Sequence, residues 1–188
     1  MKIKKIEIEN FRLLKNFSMD LEKELSLVIG KNNTGKTSIL SVLDKFLNEK
    51  AKFTYDDFNI DFKENFEKAV TASDIPNDFP NIGIKLKIFI EYDERDDLSN
   101  VSRVLMDLDP NNNNIVLGFE YTIKYDDFLK LRADYTAFAA TEKSKVDEGK
   151  KKTARELKEF LKQELDKYFK SQKKSFEYDN STKTVNEA

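Results

Sequence analysis

Gly30, Gly35, Lys36 and Thr37 occupy the fixed positions of a G-x-x-x-x-G-K-T pattern within VIGKNNTGKTSIL. That spacing belongs to a phosphate-gripping loop, the P-loop or Walker A segment. Glycines without a Cβ let the backbone N–H groups from Gly30 through Asn32, Asn33, Thr34 and Gly35 turn inward around phosphate oxygens. The helix that follows points its positive end at the same anion. In such a loop Lys36 supplies a point charge to the β and γ phosphates, the Thr37 hydroxyl is a Mg²⁺ ligand, and Ser38 is an auxiliary phosphate donor. The expected ligands are therefore a nucleoside triphosphate and Mg²⁺.

Residue usage removes competing chemistries. The 188 residues contain no cysteine and no histidine, which excludes disulfides, thiolate metal sites, Ser-His-Asp and Cys-His catalysis and histidine-ligated zinc. What remains is carboxylate, lysine and phosphate-cradle chemistry. At 39% hydrophobic residues the chain can bury a core. A net charge of −2 gives no global basic field for nucleic acid. No stretch approaches a membrane span, and the charged, alternating MKIKKIEIENFRLL lacks the apolar run of a signal peptide. The expectation is a cytoplasmic protein with no membrane contact.

The elements that must hold the loop are legible in part. Ile6 and Ile8, then Phe17, Met19 and Leu21, alternate as in two strands joined by a short connection. LSLVI, residues 25–29, reads as a strand buried on both faces that feeds the glycine loop. Ile39, Leu40, Val42, Leu43, Phe46 and Leu47 predict a helix of about three turns after it. Residues 49–80 lose this patterning and read as a long, functional or mobile connection. NIGIKLKIFIEYD and IVLGFEYTIKY show period two and read as long, half-exposed antiparallel neighbours, with a helical pattern over DDLSNVSRVLMDLD and a turn at PNNNN between them. Residues 149–174 read as one charged helix with a stripe of Leu157, Phe160, Leu161, Leu165, Tyr168 and Phe169, and residues 175–188 as a polar, flexible tail.

Two strands ahead of the glycine loop set this chain apart from small P-loop kinases. IKKIEIENFRLLKNFSMDL followed by LSLVIGKNNTGKTSIL resembles the opening of RecF-type and structural-maintenance-of-chromosomes ATPases. More closely, it resembles the OLD-family (overcoming-lysogenization-defect) ATP-dependent nucleases. The resemblance implies an α/β fold, the N-terminal portion of an ABC-type P-loop ATPase head, with a central mostly parallel sheet edge and an antiparallel β subdomain. It divides the chain into a P-loop core at 1–48, a connection at 49–80, strands and helices of the head at 81–174 and the tail at 175–188. It further implies ATP as the nucleotide, Arg12 of the NFR turn near the phosphates, and partners in a remaining ATPase half and a nuclease domain. The complete protein would be a homodimer that processes DNA in phage defence. A self-contained P-loop kinase or GTPase, or an ATP-gated interaction module without turnover, are the alternatives.

The departures from that pattern are specific. No LSGGQ-like signature appears, no histidine is available as a switch, and no glutamine precedes Gln163. Asp57 and Asn59 of DDFN are possible replacements for the missing glutamine loop, although an acidic loop facing solvent is the simpler reading. Asp93 and Glu94 at the end of LKIFIEYDE are candidates for a Walker B pair, against which the alternating Lys85 and Lys87 argue, since a Walker B strand is buried in a parallel sheet. Asp107 and Asp109 of MDLDP read as part of a turn rather than a metal site. Lys151, Lys152, Arg155, Lys158 and Lys162 invite a DNA-binding reading, but the interleaved Glu156, Glu159 and Glu164 suit an ordinary solvated helix.

Overall fold

The computed structural model describes residues 1–24, 26, 35–74, 81–99, 112–148, 153–182 and 184–186. The elements are β1 (Lys2–Phe11), β2 (Leu14–Asp20), α1 (Lys36–Leu47), a single 3-10 turn (Tyr55–Asp57), α2 (Ile60–Thr71), β3 (Ile82–Glu91), β4 (Asn114–Ile123), α3 (Tyr125–Asp147), α4 (Leu157–Tyr168), β5 (Lys170–Asp179) and β6 (Thr184–Asn186). The strands form one sheet in the order β2-β1-β3-β4-β5-β6, with every neighbouring pair antiparallel, so the described residues show no parallel pairing where a mostly parallel sheet edge was expected. The strand expected at 25–29 falls, Ser26 apart, outside the described residues, as do Asp107, Asp109, Lys151 and Lys152.

Period-two patterning decides which face of the sheet is covered. Ile6 and Ile8 of β1, Ile84, Leu86 and Ile88 of β3, and Phe119 and Tyr121 of β4 are buried in one apolar cluster with Ile39 and Val42 of α1 and residues from α2, α3 and α4. On the other face the registers align Glu9, Lys85, Glu120 and Gln172 in one row, and Glu7, Lys87, Gly118 and Lys174 in the next. Opposite charges across such a row stabilise the pairing modestly. Lys174 Nζ lies 2.9 Å from Glu120 Oε2. Next to this polar ladder, Phe89, Val116 and Phe176 form a separate small cluster. The Phe176 ring lies across Gly118 so closely that a Cβ there would sit 2.1 Å from Cε2, and that contact admits only glycine.

The structure corrects three further expectations. Residues 49–80 are not a mere connection: Phe53, Tyr55, Phe58, Phe66 and Val70 are buried. Their rings run through the core, Phe53 stacking on Tyr121 at 4.6 Å and Phe58 on Phe62 at 4.9 Å. Next, β4 is not half-exposed, because β3 and β5 flank it and both its faces are covered, Val116, Glu120 and Thr122 included. Finally, the single helix expected over 149–174 and the tail after it are divided otherwise. The helix ends at Tyr168, and Lys170–Asp179 turns back to pair with β4 from Thr122 to Val116.

A helix with no sequence counterpart, α3, spans 23 residues. It packs on α2 and α4. Inside it Glu142 is fully buried, and its carboxylate takes Arg155 Nε and Nη2 at 3.1 and 3.0 Å and Lys145 Nζ at 2.9 Å. Arg155 and Lys162, which pairs with Asp56 at 3.3 Å, are thus engaged in intramolecular ion pairs with other elements rather than with the interleaved acids expected of a solvated helix.

Candidate phosphate-binding site

Gly35, Lys36, Thr37 and Ser38 are the described part of the glycine loop, and they build the start of α1. Gly35 is the residue before the helix and adopts φ +88°. Side-chain-bearing residues avoid that region, and a Cβ at Gly35 would also meet Leu14 Cδ2 at 2.9 Å. Its carbonyl accepts from Ser38 N at 2.9 Å and Ile39 N at 3.3 Å, which starts the helical ladder. The first turn contains no acidic residue and no side chain caps it. The helix therefore presents its positive end uncompensated by an acid. Thr37 is exposed and Lys36 half-buried. Ser38, expected to assist as a phosphate donor, is buried at 6% exposure on the core side of α1. Gly30, Asn32, Asn33 and Thr34 lie outside the described residues.

The turn between β1 and β2 stands against this helix end, with Leu13 and Leu14 as the residues nearest Gly35. Arg12, at φ +48°, leads the turn, and Asn10 is likewise at positive φ. A left-handed conformation at a residue other than glycine costs on the order of 1–3 kcal/mol and persists only where surrounding contacts impose it. Here they do. Arg12 N donates to Asp57 O at 2.8 Å and Asn59 N to Asn10 O at 2.9 Å. Asn59 Nδ2 donates to Arg12 O at 2.6 Å, and Asn10 Nδ2 to Gly83 O at 3.0 Å. Asn59 also caps α2 by accepting from Asp61 N at 3.0 Å.

Asp57 is the hub of this corner. Its Oδ1 accepts Arg12 Nε at 3.1 Å and Nη2 at 2.8 Å. Its Oδ2 accepts Thr54 N at 2.9 Å and the Thr54 hydroxyl at 3.0 Å, and pairs with Lys45 Nζ of α1 at 2.8 Å. Burial raises the carboxyl pKa, but the bonds from Lys45, the Thr54 N–H, Arg12 and the Thr54 hydroxyl outweigh it and hold the group below the usual aspartate value. The expectation of a solvent-facing acidic loop fails, since Asp57 is 2% and Asn59 6% exposed. Thr54 and Asp57 have the spacing of a capping box, a signal present in the sequence. Lys45 carried no such signal.

Other candidates lie elsewhere. Lys2, at the start of β1, pairs with Glu91, and Asn10, at its far end, bonds Gly83. Asp93 and Glu94 follow Glu91 and therefore stand beside the amino terminus. Ten residues of strand, about 30 Å, separate that end of the sheet from the turn that touches Gly35. Asp93 there is exposed and engages the backbone N–H and guanidinium of Arg95. It and Glu94 are not placed to act as a Walker B pair with Lys36 and Thr37. A cavity of about 390 Å³ opens between residues 53–56 and 162–167, with Tyr55, Asp56, Lys162 and Asp166 among its lining, and none of the described loop residues borders it. Among the described residues no group of three or more Asp or Glu forms a metal site, and no helix is long and apolar enough to cross a membrane.

The αL glycine, the acid-free helix end and the Lys-Thr pair in the first turn fit a triphosphate with its Mg²⁺. Lys36 and Thr37 would hold them, the metal lending charge neutralisation to the phosphates. The AAA ATPase domain model matches residues 1–188, so this chain belongs to that family. No curated protein matches it.

Proposed function

We propose, from membership of the AAA ATPase domain family, that the chain binds Mg·ATP at the amino end of α1 as the N-terminal part of an ABC-type head of the OLD, RecF and SMC kind. The carrying observation is Gly35 in the left-handed conformation opening α1, with Lys36 and Thr37 in an acid-free first turn. In this reading Lys36 neutralises the terminal phosphates and Thr37 contributes to Mg²⁺. Arg12 stands at the neighbouring turn as a further cation. In the complete protein, ATP binding would be coupled to hydrolysis, to homodimerisation, and to DNA processing in phage defence through a remaining ATPase half and a nuclease domain. Titration calorimetry with Mg·ATP tests the core of this reading. A hydrogen bond to a charged group contributes about 1.5–3 kcal/mol net, so Lys36→Ala should lower affinity at least roughly 10- to 100-fold. Unchanged affinity in that variant would sink the assignment.

The chain by itself is a binding rather than a hydrolysing unit. The support for this second point is the placement of Asp93 and Glu94 at the opposite end of β1 from the loop.

A further inference from the structure

Arg12 is held on three sides. Its N–H and its carbonyl are bonded by Asp57 and Asn59, its guanidinium lies 5.0 Å over the Phe11 ring, and its Nε and Nη2 edge is taken by a single carboxylate oxygen of Asp57. The other oxygen is saturated by Thr54 and Lys45, so the acid has no spare capacity for a ligand. The Arg12 side chain nevertheless remains 38% exposed while Asp57 is 3% exposed. Among the described residues no hydrogen bond engages Nη1. One edge of the fork is fixed and the other carries no hydrogen bond among the described residues, on a partly exposed side chain at the turn whose next two residues lie beside Gly35. A lysine offers a single flexible point of charge and could not be aimed in this way. The same carboxylate grips α1 through Lys45, which ties the turn to the helix that carries Lys36 and Thr37.

We propose that Asp57 is a positioning residue for nucleotide: it orients Arg12 so that the open edge of the guanidinium meets the terminal phosphate at the start of α1, making the site prefer triphosphate to diphosphate. This rests on the reading of Gly35–Thr37 as a nucleoside triphosphate site. The loss of Asp57 would leave the charge of Arg12 in place and release its direction.

The test is calorimetric affinity for Mg·ATP and Mg·ADP in wild type, Arg12→Ala, Asp57→Asn, the double variant and Lys36→Ala, with thermal unfolding of each. Wild type should favour ATP. Arg12→Ala and Asp57→Asn should each lose ATP affinity about tenfold, one charge-assisted hydrogen bond, with little change for ADP. The double variant should be no worse than Arg12→Ala. Equal losses for both nucleotides in Asp57→Asn, or additive losses in the double variant, would mean that Asp57 only supports the fold. Tighter ATP binding in Asp57→Asn would show that the acid competes for Arg12, which also overturns the proposal. Should Asp57→Asn not fold, Arg12→Lys decides. It is expected to bind ATP as poorly as Arg12→Ala, and an ATP-to-ADP preference preserved in it refutes a role for the oriented fork. Wild-type binding that Lys36→Ala abolishes, together with an unchanged preference in Asp57→Asn, sinks this proposal alone. No binding by wild type sinks the nucleotide reading with it.

Discussion

A buried carboxylate with two cations on it makes its contribution visible through pH. Unfolded, Asp57 titrates near 3.9, and folded it titrates lower because the bonds from Lys45, Thr54 and Arg12 overcome the cost of burial. A depressed pKa means that the ionised form is favoured by the fold. The stabilisation is therefore fully present above the unfolded value and is lost as pH falls through the folded one. Removing the acid takes the carboxylate from Lys45, which keeps its bond to the Lys52 carbonyl, and from Arg12, their side chains being 16% and 38% exposed. Asp57→Asn is expected to cost about 2–4 kcal/mol at neutral pH, between the values for exposed and fully buried pairs. Urea titrations at pH 7 and near pH 3 should show the gap between wild type and variant narrowing at the lower pH. A gap of the same size at both would mean that the carboxylate charge is not what ties the corner together.

At the scale of elements, the segment from Phe53 to Thr71 is the piece of core that patterning hides. Phe58 is 2% exposed and packs on Phe62, on Phe169 at 5.0 Å and on Tyr121 at 6.2 Å. Phe58→Ala is expected to cost about 3–5 kcal/mol and to lower Tm by roughly 10 °C. Differential scanning calorimetry reads this directly, and a shift of a degree or two would return the segment to the status of a linker. Its rings sit on an extended stretch, a 3-10 turn and a helix in succession, so no single period describes them. By contrast β1 to β3, α1 and the stripe of α4 were legible, because one face of each meets the core at a constant period, while β4 was legible as a strand but not in the covering of its second face. Even there, Leu40 and Leu47 of the α1 stripe remain 71% and 58% exposed. β5 was not legible: KSQKKSFEYD buries only Phe176, and it is a strand because β4 has backbone groups to pair, a demand set by its neighbour. Nor was α3, which buries little besides Phe128, Leu131 and Glu142. In the site, Gly35 to Thr37 were legible because local geometry dictates them. The hub at Asp57 was misread because it joins positions 12, 45 and 57, which only the fold brings together.

For the whole molecule, the separation between α1 and the acidic end of β3 carries a kinetic consequence. Phosphoryl transfer requires more than a cradle, since a carboxylate must help hold Mg²⁺ and another group must orient water. Purified chain is expected to show negligible steady-state ATP hydrolysis even when it binds ATP. Turnover of about 1 per second, the low end for working enzymes, lost in Lys36→Ala and in Glu94→Gln, would show the catalytic set to be complete and the reading of the β3 end wrong. The strand order β2-β1-β3 also constrains how the protein comes into being. β2 can join β1 as soon as both leave the ribosome, whereas the other edge of β1 waits for β3, as the bond from Asn10 to Gly83 across 73 residues marks. Until then the first strand keeps an open edge capable of pairing with another chain, and closing that long loop is slow compared with forming a hairpin. The corner built from Arg12, Asp57 and Asn59 becomes available earlier, once residues 53–59 have been made. The contacts that hold the corner beside the candidate site thus double as a clasp that can hold the first hairpin in place while the rest of the sheet is still being synthesised.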